Sequence, residues 1–414
     1  MTKSKGLTPG RGNATGDQDV VRAGESAPPE WAPLGRTLAF LVTTGMLVVG
    51  QLYTVIPLFA SMGHSFGVTA GQATWMATAF GFAYAVGFLF WGPLADRYGL
   101  RRMITAGLVS TTVATAMVAI APGLLIGSLL RAVQGLAAAT FVPAAYAYVA
   151  AHIEPRRRAL ALTFITSGFL VAAIAMQVVG QTLGPALGWR AVFLVFAPSF
   201  LVAAAVARWV LRPGESGQAS TVRSAFAAMP QLLARPQLLA LYGATVTLLG
   251  SFVALYTAVE LAGPPSLTGH PTALLDLRAS ALPILLLVPA ATPLLARITP
   301  GVRTVAGLGI AAGSAVAASS AGDSVVALAL ILVVFVAAIA VAAPAVVQTI
   351  SGAAGPARGA AVALYAFATF LGASLAPQLV TALAGLGFAR NALVVAATLA
   401  LGSLLALLAT RLAT

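Results

Sequence analysis

The stretch Gly92-Pro93-Leu94-Ala95-Asp96-Arg97-Tyr98-Gly99-Leu100-Arg101-Arg102 decides how this chain folds. It lies between two long apolar runs, and Asp96, Arg97, Arg101 and Arg102 cluster within it. Charge is costly inside hydrocarbon. A cluster of charges between two membrane-length segments therefore belongs in a short loop at one membrane face. The composition leads the same way. The 414 residues are 59% hydrophobic and only 8% charged, with a mean hydropathy of +0.95. A soluble domain carries roughly 25% charged residues, so this chain has too few to cover a surface facing water.

A membrane span needs about 20 mostly apolar residues. Twelve can be placed, near 37–60, 73–94, 104–121, 124–150, 159–182, 191–210, 237–260, 280–297, 304–321, 325–349, 359–384 and 390–410. The runs are continuous rather than alternating, which favours helices over a barrel, because helices satisfy their own backbone in lipid. The expected fold is an all-α membrane protein with twelve transmembrane helices.

Cytoplasmic loops are enriched in Lys and Arg. With a cytoplasmic N-terminus, Arg190, Arg278 and Arg390 fall in outer loops and Arg131 falls inside a span. The rest of the 23 bases lie on the inner side, so both termini are expected in the cytoplasm. The net charge of +13 then reflects membrane topology. A nucleic-acid partner would need the bases gathered on one soluble face. Arg156-Arg157-Arg158 can also meet anionic lipid heads.

Residues 1–35 read as a disordered cytoplasmic tail, too poor in apolar side chains to bury a core. They lack the apolar centre of a secretory signal. The polar stretch 211–236 reads as a cytoplasmic linker between two six-helix bundles, 36–210 and 237–414. Residues 261–279 read as the longest outer loop.

The opening stretch resembles the signature loop between the second and third helices of the major facilitator superfamily, Gly-x-Leu-x-Asp-Arg-x-Gly followed by bases. Gly92, Leu94, Asp96, Arg97, Gly99, Arg101 and Arg102 match, and Leu100 departs from the usual base. A fainter copy follows 200 residues later, with Pro293, Leu294 and Arg297 matching Pro93, Leu94 and Arg97, and with Ala296 in place of Asp96. The resemblance implies two pseudo-symmetric six-helix bundles with a substrate site between them, as in other transporters built from repeats. It also implies that Gly92, Asp96, Arg97, Gly99, Arg101 and Arg102 form a conformational latch. An Asp can meet a helix N-terminus, where the dipole favours anions. Arg97 and Arg101 can meet carboxylates or carbonyls, with Glu154 one candidate.

Enzyme chemistry finds little support. The chain has no cysteine, so thiol catalysis, disulfides and Cys-ligated metals are excluded. His64, His152 and His270 are far apart, without metal-ligand spacing. No Gly-x-x-x-x-Gly-Lys phosphate loop occurs. No cofactor or metal is expected. Transport would draw on an ion or substrate gradient, or on a partner.

Ionisable residues inside spans are functional candidates. Arg131 lies roughly 10 Å from the outer end of span 4, at about 1.5 Å per residue. An Arg so deep costs roughly 2.5–3.5 kcal/mol on insertion scales, which a carboxylate, a carbonyl cluster or a wet cavity must offset. Arg131-x-x-Gln134-Gly135 resembles the span-4 motif of the drug/proton antiporters of the superfamily. In that family the Arg is linked to proton transfer. Glu260, in Tyr256-Thr-Ala-Val-Glu260, ends span 7 and is a second proton-coupling candidate. The span-5 antiporter signature is eroded: its Gly-Pro falls at Met176-Gln177, Gly180 survives, and Gly184-Pro185 reads as a turn.

Polar and aromatic residues within spans are candidates for a cavity: Gln51, Tyr53, Tyr84, Tyr146, Gln177, Gln181, Tyr256, Gln348, Tyr365 and Gln378. An apolar lining with a few amides and phenols suits amphipathic organic molecules. The expected protein is a monomeric exporter of drugs or metabolites in a bacterial plasma membrane, exchanging them for protons. The alternatives are an uptake symporter or facilitator and, more remotely, a membrane sensor or scaffold.

Overall fold

The structure is a computed structural model and describes residues 2, 31–213, 222–267, 270–295 and 297–412. Among these residues the only regular elements are helices.

Eighteen α-helices are described. In chain order, α1 is Leu34–Thr54, α2 Phe59–Phe66, α3 Ala70–Ala73, α4 Trp75–Tyr98, α5 Leu100–Ala119 and α6 Leu124–Ala138. Then follow α7 Phe141–His152, α8 Pro155–Leu187, α9 Trp189–Val210 and α10 Val222–Leu233. The second part holds α11 Pro236–Ala262, α12 Pro271–Ala279, α13 Leu282–Ala290, α14 Thr292–Leu295, α15 Pro300–Ser319, α16 Val325–Ala353, α17 Arg358–Leu383 and α18 Gly387–Arg411.

Local chemistry sets many of these boundaries. Prolines open α8, α11, α12 and α15, where a missing N–H costs nothing. Gly67, Gly99, Gly188 and Gly387 join consecutive helices at φ 68°, 85°, 81° and 77°, a region that favours glycine. Thr69 and Gln72 form a capping box at the start of α3.

Among the described residues, ten helical stretches are long and apolar enough to cross a membrane. One of them, Arg358–Arg411, contains both α17 and α18, separated by a short turn at Ala384–Leu386. The run expected as a span at 280–297 forms two helices in series, α13 and α14, with Pro283, Pro289 and Pro293 along it. Proline removes a backbone donor and crowds the preceding turn, which accounts for the interruption.

Two expectations are corrected. Residues 261–279 are not simply a loop, because α12 forms within them. Gly184-Pro185 is not a turn either: both residues lie within the last turns of α8, which runs on to Leu187.

The packing repeats. In the first part α1 packs on α8, α5 on α9 and α5 on α6. In the second part α11 packs on α17, α15 on α18 and α15 on α16 in the same order. The two parts meet where α4 packs on α17 and where α8 packs on α12 and α13. The turns near Gly67, Gly188 and Ala384 lie at one end of these long helices, and the turns near Gly99 and Ala354 lie at the other.

Small residues let the helices approach closely, the usual basis of helix association in lipid. A Cβ added at Gly372 would stand 2.0 Å from the Val246 carbonyl oxygen, and one at Gly135 would stand 2.3 Å from the Phe80 carbonyl oxygen. Both obstacles are backbone and cannot swing aside. Gly372→Ala is expected to force α11 and α17 apart, at an overpacking cost of about 1–3 kcal/mol. A lowered melting temperature in detergent would register this, whereas Gly313→Ala, with open space around it, should melt like the parent.

Candidate functional site

Arg131 is completely buried on α6. Its Nε donates to the Met76 carbonyl at 2.9 Å, Nη2 to the Gln51 carbonyl at 2.9 Å, and Nη1 to Gln134 Oε1 at 2.6 Å. The guanidinium also lies over the Phe80 ring, 4.2 Å from its centroid, a favourable cation–π placement. Gln134, one turn along the same face, donates to Thr115 Oγ1 at 2.7 Å and to Gln51 Oε1 at 3.2 Å. The Arg is thus offset by carbonyls and an amide. The Gln51 carbonyl is free to take part because α1 loosens at its end: the Val55 N–H turns to Tyr53 O rather than back to Gln51.

Glu260 sits near the end of α11. Its Oε2 accepts from Nη2 of Arg278 at 2.5 Å. Nη1 of the same Arg donates to Gln181 Oε1 on α8. Arg278 is completely buried, and the Glu260 side chain is 11% exposed. Arg131 and Glu260 therefore belong to two separate polar clusters, each with its own partners.

A polar seam joins α4 to α17 at the Gly67 end. Thr78 donates to the Ser374 carbonyl at 2.8 Å, and Gln378 Nε2 donates to Thr74 Oγ1 and Thr78 Oγ1, both at 3.1 Å. The Thr74 and Thr381 hydroxyls are 3.2 Å apart. Gly71 and Gly81 complete the stripe, close against Thr381 and Ser374. Deeper along the same line Tyr84 and Phe88 pack on Phe370, with ring centroids 4.6 Å and 5.4 Å away.

The other cavity candidates are placed as follows. Tyr53 meets Phe252 edge-on at 6.2 Å, and Phe252 meets Tyr256 at 5.0 Å. The Tyr84 and Tyr256 hydroxyls are buried without a hydrogen-bond partner. Tyr146 pairs with Thr166 at 3.4 Å. Gln177 donates to the Ala173 carbonyl at 2.7 Å, leaving its buried Oε1 unpaired. Gln348 accepts from Arg303 at 2.7 Å, and the backbone carbonyl of Tyr365 accepts from Thr369 at 2.7 Å. Gln51, Gln181 and Gln378 are committed to the Arg131 cluster, the Arg278 contact and the seam.

Of the latch candidates, Gly92, Asp96 and Arg97 have backbones within α4, and their side chains lie outside the described residues. Gly99 is the joint between α4 and α5. Arg101 and Arg102 line a cavity of about 340 Å³ with Thr105, Ala106 and Arg208. Glu154 pairs with Arg157 at 3.2 Å.

Sequence reasoning missed Thr74, Thr78, Thr381 and Arg278. Thr74 and Thr78 stand one turn apart with Gly71 and Gly81 on the same face, a stripe that was available as a signal.

A sequence profile described as the Major Facilitator Superfamily matches residues 41–377. The chain belongs to the major facilitator superfamily. Among its relatives is a protein described as "Multidrug resistance protein B homolog" in Mycobacterium tuberculosis, 28% identical over 190 residues, which are 45% of this chain and 35% of that protein. Another is "Cephamycin export protein CmcT" of Amycolatopsis lactamdurans, 31% identical over 164 residues, 39% of this chain and 33% of the relative. The chain thus matches about a third of the length of each of these two proteins. A crystal structure of a bacterial homolog of the human lysosomal transporter Spinster, inward-facing and unoccupied, shares the fold. Its TM-score is 0.70 at 15% identity, over 91% of this chain and 96% of that one. This superfamily member is a multi-pass membrane protein, and its family is one of transporters rather than enzymes.

Proposed function

We propose that this chain is a secondary active transporter that exports small amphipathic organic molecules, drugs or metabolites, in exchange for protons. It has twelve spans in two six-helix bundles, 36–210 and 237–414, joined by a cytoplasmic linker at 211–236. Both termini lie in the cytoplasm, and it works as a monomer in a bacterial plasma membrane. In that orientation the Gly67 end faces outward.

The observation that carries this reading is the seam between α4 and α17. It is built from hydroxyls, an amide and small residues, so it can open without separating buried charges. Opening this end while the other closes is what alternating access requires. Export is supported by what relatives are named for, and proton exchange by the likeness of Arg131-x-x-Gln134-Gly135 to the antiporter motif. Arg131, Gln134 and Glu260 are the groups through which protons would act. The latch at Asp96, Arg97, Arg101 and Arg102 would steady one of the two states. Tyr53, Tyr84, Tyr146, Tyr256 and Tyr365, with Gln177, would line the path.

The test is accumulation of a panel of fluorescent amphipathic dyes in efflux-deficient cells expressing the chain. Lower accumulation that a protonophore restores is the expected result. Higher accumulation on expression would overturn export in favour of uptake, and insensitivity to the protonophore would overturn proton coupling.

A further inference from the structure

Arg278 was expected in an outer loop, but it is fully buried and touches both halves of the molecule. One arm meets Glu260, which lies in the same half. The other meets Gln181, which lies in the opposite half. A buried guanidinium needs a counter-charge close by, and truncating one partner of such a pair is strongly destabilising. Glu260 supplies that charge. The contact across the halves goes to a neutral amide instead. It is a charge-assisted bond, stronger than a neutral one, yet breaking it leaves the Arg278–Glu260 pair intact and no buried charge alone.

We propose that Arg278 is a clasp that holds the Gly67 end shut, with Glu260 as the residue that keeps it in position and Gln181 as its catch. This rests on the alternating-access reading above and deepens it, by giving Glu260 a gating task and adding Arg278 and Gln181 to the transport machinery. The division of labour is physical. Charge neutralisation of Arg278 stays within one half as this end opens, and only the neutral catch is made and broken. The α4–α17 seam closes the same end from the other side of the interface, so the clasp and the seam should open together.

That coupling gives a readout independent of any substrate or ion gradient. The chain has no cysteine, so Thr74→Cys with Thr381→Cys introduces the only two thiols, one on each half. Their rate of oxidative cross-linking in isolated membranes reports how much of the population has this end closed. Arg278→Gln and Gln181→Ala are each expected to shift the closed-to-open ratio by about tenfold towards open, slowing cross-linking. Glu260→Gln should act in the same direction. Arg190→Gln is the control, because Arg190 bonds to Ser65 and the Ala121 carbonyl and lies over the Phe66 and Trp189 rings, all within its own half, and it should leave the rate unchanged. Gln181→Ala keeps the ion pair intact, so it remains informative if Arg278→Gln fails to fold. Cross-linking at the parent rate in Gln181→Ala, in membranes holding parent amounts of protein, would overturn the clasp. Failure to find an exported, proton-driven substrate would overturn the proposed function and leave this result standing.

Discussion

Arg131→Lys is expected to abolish transport and to lower the melting temperature, even though it keeps the charge. The guanidinium makes three directed bonds at once, to Met76, Gln51 and Gln134, and lies flat over Phe80. An ammonium on a flexible stem cannot reproduce that planar fork, so the exchange is not conservative at such a site. Each buried acceptor left without a donor costs about 1–3 kcal/mol. The acceptors sit on α1, α4 and α6, so the loss loosens three helices of the first half together. Thermal unfolding in detergent measures the stability effect, and dye accumulation measures the transport effect. Gln134→Glu provides the complementary case. It places a carboxylate against the guanidinium but removes the amide donor to Thr115 and Gln51, and is expected to block transport, because proton transfer at Arg131 would then meet a fixed counter-charge. Normal transport by Arg131→Lys would remove Arg131 from the mechanism.

The second large effect concerns the seam. Oxidising Thr74→Cys/Thr381→Cys is expected to stop transport completely, and a reductant should restore it. The two hydroxyls are 3.2 Å apart, so side chains carrying sulfur at these positions would face each other across the seam. A covalent bond there fixes α4 to α17 and removes any state in which this end is open. The single-cysteine proteins should transport alike with and without oxidant, which separates locking from damage. Transport that continues at full rate in fully cross-linked protein would mean that this end never opens, and alternating access through it would fail.

Much of the architecture was legible because membrane folding is written in long-range composition. Continuous apolar runs, the charge cluster at Asp96 to Arg102 and the prolines and glycines at helix joints all speak locally, and helices obey local rules in lipid. The depth of Arg131 was legible for the same reason: it is the base inside an apolar run, and its need for carbonyl partners follows from the cost of burying it. The partners themselves were not legible. Gln51 is 80 residues from Arg131 in sequence, and only close packing of α1, α4 and α6 places its carbonyl there.

Arg278 shows the opposite failure. Its neighbours Asp276, His270 and Pro271 are polar or helix-breaking, so the segment reads as a solvated loop. The structure folds it into α12 against α8, and the Arg turns inward to a carboxylate 18 residues away. Gln378 was recognised as polar within a span and read as a cavity group. In the structure its amide donates between helices of different halves. Periodicity reports which face of a helix is polar, and it carries no information on whether that face meets water, a ligand or another helix.

The broken run at 280–297 makes the two halves mechanically unequal. In the first half the helices that meet the opposite bundle, α4 and α8, run 24 and 33 residues without interruption. In the second half α17 is similarly continuous, but α13 and α14 are two short rods in series. At their junction Ala291 still donates to the Leu287 carbonyl and accepts from Leu295, but Pro293 has no N–H, so the ladder misses a rung there. In the proposed cycle, bending is therefore expected to concentrate at that missing rung. In that cycle the α4–α17 interface would part as a straight edge while the other bends, closer to a door swinging on one flexible jamb than to two equal blocks rocking.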